Sequence, residues 1–272
     1  MLDVNTDTLR ERSLEARKRL LRISSAANSV HIGSSLSMIE ILEVLYGKFL
    51  RVTPNNINLS NRDKFILSKG HAGLGLYIIL AQFGFIKDVE LSAYAKDGTK
   101  LAVHPVLNSA PGIEATSGSL GHGLPITLGM AIAGRRNGWN SRYVVLMSDG
   151  ECDEGSNWEA IMFAGHLGLD NLLVILDYNK IQSFGTTSEV LELEPFKDKW
   201  EANRWSVKEV DGHDLDQLTS VLNSFPFETN KPSVIIAHTV KGKGVPHLEN
   251  TLESHYRSIK SEELDEVLAT VY

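Results

Sequence analysis

Compact apolar runs alternate with helix-length stretches of mixed polarity along most of the chain. Arg62–Ser68, Tyr143–Met147, Leu172–Leu176, Ser206–Val210 and Ser233–Thr239 are short and rich in aliphatic and β-branched residues. Runs of that length and uniformity predict strands buried on both faces, as in a parallel sheet. Between them, apolar residues recur at helical spacing from about Thr6 to Asn28 and over Met38–Leu50, Leu74–Phe83 and Leu124–Arg136. A further helix is predicted from Ser156 to about Leu167, with Ser156 and Glu159 as a capping box and Gly168 closing it. Asp214 is placed to N-cap a helix reaching Asn223, and a last helix is expected from about Ser261 to Val271. Strands alternating with helices predict an α/β fold: a parallel β-sheet flanked by helices on both faces.

Length and composition narrow this picture only slightly. A chain of 272 residues holds one α/β domain with a large core, or two small ones. The formal net charge of −7 gives no reason to expect nucleic acid or an anionic membrane as partner. A lone cysteine, Cys152, excludes an intrachain disulfide and fits a reducing compartment, so a cytoplasmic location is expected. No run approaches membrane-spanning length, and no stretch has the apolar core of a signal peptide. The basic group Arg17, Lys18, Arg19 and Arg22 reads as a solvated helix face.

The candidate chemistry gathers where strands end. The Tyr143–Met147 run delivers Ser148-Asp149-Gly150 and then three acids, Glu151, Asp153 and Glu154; the Leu172–Leu176 run delivers Asp177-Tyr178-Asn179-Lys180-Ile181. A strand–helix–strand unit puts Asp149 and Asn179 at the carboxyl edge of the sheet, where ligands bind in open α/β folds. Carboxylate, amide and carbonyl oxygens there suit Mg²⁺ or Ca²⁺, with substrate phosphate and water completing the shell. On the residues alone, Asp149 as a helix cap and Asn179 as a turn former account for the same spacing. Likewise Lys69-Gly70-His71-Ala72-Gly73 ends a strand with glycines that let backbone approach a ligand, or forms a plain turn. Leu101–Gly123 has the Gly, Pro and Ser density of a long loop, and its Gly118-Ser119-Leu120-Gly121-His122-Gly123 segment precedes a helix N-terminus suited to anionic oxygens. Val240-Lys241-Gly242-Lys243-Gly244 reads as a mobile lid or an exposed loop, and His213 as a turn-holding residue. The nine histidines show no zinc-type spacing, and acids around Cys152 work against a nucleophilic thiolate. No nucleophile elbow or phosphate-binding lysine loop of a nucleotide triphosphatase is present.

Asp149-Gly150 followed by Asn179 thirty positions on (179 − 149) resembles the thiamine diphosphate motif, with Ser148 where that motif normally has its first Gly. The string DEGSNWEAIMFAGHLGLDNLLVILDYNKIQSFG extends this to a close similarity with the transketolase family, in particular transketolases encoded as two polypeptides. The resemblance runs from His31 through His255. It implies a single domain over residues 1–272 that binds the diphosphate of the cofactor and Mg²⁺ (Ca²⁺ or Mn²⁺ as substitute), with a C-terminal tail from about 245. Carried over residue by residue, it implies metal ligation by Asp149, Asn179 and the Ile181 carbonyl. It implies cofactor contacts from His71, Gly118, Leu120, Asp149, Gly150, Glu151, Asn179, Ile181 and His255. Catalytic roles fall to His31, His71, His104 and His255, which would orient hydroxyls and relay protons around neutral pH, and to Glu154, which is expected to meet a partner's carboxylate.

Only the diphosphate-binding half of a conventional transketolase is matched. The expected partner is therefore a C-terminal transketolase subunit carrying the pyrimidine-binding domain, in an α2β2 heterotetramer acting on sugar phosphates. The implied reaction moves a two-carbon ketol unit from a ketose to an aldose. Two alternatives stand beside it: another thiamine diphosphate enzyme component, of the dehydrogenase or deoxyxylulose phosphate synthase kind, or a cofactor-binding subunit without turnover.

Overall fold

A computed structural model describes residues 4–272. Five strands form one parallel sheet: β1 (Lys64–Leu67), β2 (Tyr143–Ser148), β3 (Leu172–Tyr178), β4 (Ser206–Asp211) and β5 (Ser233–His238), in the spatial order β1-β2-β3-β5-β4. Every residue of β2 and β3 is buried, as their continuous apolar runs predict for central strands.

The pleat divides the apolar side chains between two cores. Phe65, Leu67, Val144, Leu146, Leu173, Ile175 and Ile235 face one side. They pack there on α1 (Thr6–Ala27), α2 (Ile32–Leu36), α3 (Ile39–Val44), α4 (Gly73–Gln82) and α10 (Leu215–Asn223). Ile66, Val145, Met147, Val174, Leu176, Val234 and Ile236 face the other, against α6 (Gly123–Arg136), α7 (Gly155–Leu167) and α9 (Phe196–Ala202). The short helices α5 (Asp88–Leu91) and α8 (Thr187–Val190) lie in the connections, and α11 (Leu264–Thr270) packs on α1. The α/β fold with helices on both faces is the one expected. Among the described residues no helix is long and apolar enough to cross a membrane.

At the amino edge of the sheet, Asp63 is almost wholly buried and ties the starts of β1 and β2 together. Its carboxylate accepts the backbone N–H of Arg142 at 2.9 Å and of Arg51 at 2.8 Å, and both guanidinium groups close on it. Burial alone would raise this carboxyl; the two arginines reverse that and hold it below its usual range.

Several local expectations change. The Met38–Leu50 helix is an α-helical piece, α3, running into a wider π turn over Leu45–Phe49. Ser156 does not cap α7: Glu154 occupies the cap position without a side-chain bond, and the Ser156 hydroxyl donates instead to the Gly121 carbonyl at 2.7 Å. Arg17 is not on a solvated face. It is buried against Glu40 at 2.5 Å, because α1 turns that face toward α3. Lys241 and Gly242 are buried, so the glycine–lysine segment is neither an exposed loop nor a free lid. Asp214 caps α10 as expected, accepting from Asp216 and Gln217, and Gly168 closes α7 at a positive φ.

Candidate active site

The carboxyl ends of β1, β2, β3 and β5 open into a cavity of about 350 Å³. β1 runs out through Ser68 and Lys69 into a single 3₁₀ turn, Gly70–Ala72, which presents His71. Gly70 allows a close approach: a Cβ there would lie 2.6 Å from the backbone nitrogen of Gly118, so His71 and the glycine-rich loop are brought together backbone to backbone. Gly118 itself has φ of +137°, and a Cβ on it would reach within 2.9 Å of the His104 ring. The loop is then clamped from beneath. Gly121 donates its N–H to Glu151 Oε1 at 3.0 Å, the Ser68 hydroxyl donates to the same oxygen, and Gly123 donates to Ser68 Oγ at 3.1 Å.

β2 delivers Asp149, whose Oδ1 accepts from Gly150 N–H at 2.7 Å and Oδ2 from Lys180 N–H at 2.6 Å. Lys180 supplies that N–H from a left-handed turn, φ 66°, which also presents the Ile181 carbonyl. Asn179 accepts the Ile181 N–H on Oδ1 at 3.1 Å and donates through Nδ2 to Asp177 at 3.4 Å, which fixes the orientation of its amide. The Ile181 carbonyl accepts from Lys241 Nζ at 2.8 Å, and the ammonium also reaches the Gln182 carbonyl at 3.2 Å.

Four imidazoles line the same cavity. His31 centres the group, with ring centroids 4.7 Å from His255, 5.4 Å from His71 and 6.2 Å from His104. His31 sits in the left-handed region, φ 67°, where a non-glycine residue is uncommon, and its N–H donates to the His255 carbonyl at 3.0 Å. The Nδ1 atoms of His31 and His255 are buried without hydrogen-bond partners among the described residues. Of the residues singled out from the sequence, His31, His71, His104, His255, Glu154, Gly118, Leu120, Asp149, Gly150, Asn179 and Ile181 all line the cavity. Glu151 does not. Its side chain is wholly buried beneath the glycine loop, and its bonded oxygen is taken by Ser68 and Gly121.

Sequence reasoning misses the charges behind this wall. Lys69 and Asp177 form an ion pair with no exposed side-chain surface. Lys69 also donates to the Ser34 carbonyl at 2.8 Å, while Asp177 accepts from Ser37 Oγ at 2.5 Å and from the Thr239 hydroxyl. Burial would raise the Asp177 carboxyl, but Lys69 outweighs it and holds the group ionised. Burial, helped by the Asp177 charge, pushes Asp149 up to about 6. Burial and the neighbouring Lys69 bring Lys241 down to about 8. The imidazoles feel the same two ammonium groups. Burial and then Lys241 lower His255 to about 3; burial and then Lys69 lower His71 well below its ordinary value. His31 is lowered by burial and by His104. Burial thus favours the neutral form of all three rings, the form that offers one donor and one acceptor nitrogen each. Cys152 is buried, and burial with its acidic neighbours pushes its thiol well above the ordinary value, which removes it as a nucleophile.

This donor set fits a divalent cation and a polyanion. Asp149, the Asn179 amide and the Ile181 carbonyl present hard oxygens, and an ammonium group already sits on one of them. Lys241 and four imidazoles line the cavity, with the Lys69–Asp177 pair behind them, a lining suited to an anion carried in with a divalent cation.

Residues 11–271 match the family described as transketolase, thiamine diphosphate binding domain. The chain is 38% identical over 268 residues to one subunit of the apulose-4-phosphate transketolase of Phocaeicola vulgatus, covering 98% of this chain and 95% of the relative. It is 40% identical over 232 residues to a subunit of the 6-deoxy-6-sulfo-D-fructose transketolase of a Clostridium species, covering 85% and 84%. Among solved structures, transketolase from Campylobacter jejuni superposes with a TM-score of 0.90 at 29% identity, covering 98% of this chain but 44% of that one. Transketolase from Leishmania mexicana gives 0.88 at 28%, with 95% and 40% covered. The chain thus spans less than half the length of these solved enzymes and nearly all of the relative from Phocaeicola vulgatus.

Proposed function

The chain belongs to the transketolase family, and we propose that it is the diphosphate- and metal-binding subunit of a two-chain, thiamine diphosphate-dependent transketolase. The observation that carries this reading is the convergence of Asp149, Asn179 and the Ile181 carbonyl with four imidazoles in one cavity. Residues 1–272 act as one cofactor-binding unit. When bound, thiamine diphosphate would supply the thiazolium carbon chemistry that ketol transfer requires.

Everything else falls to the protein. Asp149, Asn179 and the Ile181 carbonyl would hold Mg²⁺, and Lys241 and His71 would face the diphosphate. The Gly118–Leu120 backbone lies along the same wall. Diphosphate charge beside Lys69 and Lys241 would offset the ammonium contribution, second to burial, that lowers His71 and His255. Both rings would exchange hydrogen bonds with sugar hydroxyls. His31 and His104 are set to hold the sugar, and exposed Glu154 at the rim is set to meet the partner subunit. The cavity wall contains lysines and no arginine among the described residues, so the far end of a sugar phosphate falls to the second chain. That chain would carry the pyrimidine-binding domain, in an α2β2 assembly.

A coupled assay of ketol transfer tests this, run with the chain alone and then with its partner polypeptide, in thiamine diphosphate and Mg²⁺. Xylulose 5-phosphate, apulose 4-phosphate and 6-deoxy-6-sulfofructose serve as donors, the last two because relatives are named for them. Turnover confined to the mixture and abolished by Asp149→Ala is expected. A mixture that binds no thiamine diphosphate refutes the reading.

A further inference from the structure

His213 lies outside the cavity, in the turn between β4 and α10, yet it holds the segment from which Lys241 enters. We infer that His213 is a positioning residue for Lys241, oriented by Glu40 and Arg17; this rests on Lys241 being a cofactor-facing charge, as proposed above. Val240 donates its N–H to His213 Nε2 at 2.8 Å. A ring nitrogen that accepts from a backbone amide carries no proton, so the ring proton is on Nδ1, where Glu40 Oε2 accepts it at 3.0 Å. The other Glu40 oxygen takes Arg17 Nη2 at 2.5 Å, and Arg17 Nε donates to the Lys243 carbonyl at 3.0 Å. The chain of bonds therefore closes on itself, gripping the backbone on both sides of Lys241.

All three gripping groups are firmly placed. Arg17 and Glu40 are buried, and the His213 side chain is 12% exposed. Burial would raise the Glu40 carboxyl, but Arg17 and His213 hold it below its ordinary range, so the carboxylate that orients the imidazole is ionised. A carboxylate holding an imidazole in one tautomer so that the ring can fix a functional group is a familiar outer-shell arrangement. Here the fixed group is a backbone amide rather than a metal. From the front, Gly242 N–H donates to the Gly33 carbonyl at 3.1 Å, within α2, the helix that follows His31. The segment carrying Lys241 is thus suspended between the histidine cluster and the His213–Glu40–Arg17 network.

The test uses the complex of this chain with its partner subunit, titrated with thiamine diphosphate at saturating Mg²⁺, with thermal midpoints measured in parallel. His213→Asn keeps a donor toward Glu40 and removes the acceptor for Val240; His213→Gln keeps an acceptor near the Nε2 position. Asn is expected to weaken cofactor binding by roughly tenfold or more, the scale of lost outer-shell partners, while Gln stays close to wild type. In a Lys241→Met background, His213→Asn is expected to add nothing. Wild-type affinity in His213→Asn, equal losses in Asn and Gln, or an undiminished loss in the Lys241→Met background would each overturn the inference. Should His213→Asn not fold, Arg17→Lys, whose single ammonium cannot hold both the Glu40 carboxylate and the Lys243 carbonyl, is expected to show a comparable loss, and wild-type affinity there overturns it equally. Lys241→Met binding as tightly as wild type removes this inference but leaves the cofactor reading standing; no binding by the wild-type complex removes both.

Discussion

Replacing Lys69 with Met removes the cation paired with Asp177 and leaves a carboxylate with no exposed surface beside a second buried acid, Asp149. Breaking a buried pair from one side typically costs about 3–5 kcal/mol, because the remaining charge has lost its compensation. Ser37, Thr239 and Asn179 still donate to Asp177, which favours the lower end of that range. For a chain of this size each kcal/mol corresponds to roughly 2–4 °C, so a fall of about 10 °C in thermal midpoint is expected. Adding Asp177→Asn should restore most of it without a buried charge, since the amide oxygen at the Oδ1 position can keep the Thr239 hydroxyl while the amide nitrogen at the Oδ2 position donates to Ser37 Oγ, which still donates to the Ser34 carbonyl. The assay is thermal and urea unfolding of the wild type, the two single variants and the double variant, read as a thermodynamic cycle. A Lys69→Met variant within about 1 kcal/mol of wild type would refute the argument. So would a double variant no more stable than Lys69→Met, which would trace the loss to packing rather than charge.

Other expectations follow from the same geometry. Burial raises Glu43 to about 7 although Arg12 Nε lies 3.1 Å away. Its folded pKa exceeds the unfolded value, so its stabilising contribution is complete below about pH 4.5 and lost as pH rises to about 7. Glu43→Gln should therefore match wild type near pH 4 and exceed it at pH 8, by at most on the order of 3 kcal/mol; urea midpoints that differ by a constant amount at both pH values would contradict this. Gly118→Ala forces a side chain into φ of +137° and against His104, costing about 1–3 kcal/mol and weakening thiamine diphosphate binding, and unchanged binding by calorimetry would count against the proposed cofactor wall. Glu151→Ala leaves the Gly121 N–H without its buried acceptor, with a cost of about 1–3 kcal/mol. Faster hydrogen exchange at Gly121 and Gly123 is expected there, and unaltered exchange would show that the clamp does not hold the loop.

The sheet and the ligand edge are legible in the sequence because periodicity and strand-end chemistry are local signals. Apolar runs identify buried strands, and Asp149 and Asn179 follow such runs directly. Long-range pairing is what escapes. Lys69 and Asp177 stand 108 positions apart, and Lys241 and Ile181 60 apart, so no spacing links them. Lys241 is also disguised by its setting, since glycine and lysine in alternation have the composition of an exposed loop. Ser156 shows the reverse failure: a correct capping pattern exists in the sequence, but the Gly121 carbonyl competes for the hydroxyl and wins. Arg17 is misread because a basic cluster says nothing about which of its members faces a buried acid.

Asp63 lies at the end of the sheet away from the cavity, yet it sets the zero of a ruler. By tying the backbone at Arg142 to the start of β1, it makes both strands begin level, with Lys64 opposite Tyr143 and Leu67 opposite Leu146. Lys69 and Asp149 then arrive at the cavity at heights fixed by residue count alone. A strand advances about 3.3 Å per residue and turns each side chain to the opposite face. One residue inserted into β1 or β2 would therefore lift its functional group out of alignment and point it into the wrong core. Changes of length in this protein are therefore tolerated in loops away from the cavity and ruinous in the strands that deliver residues to it. The far end of the sheet is where that tolerance is decided.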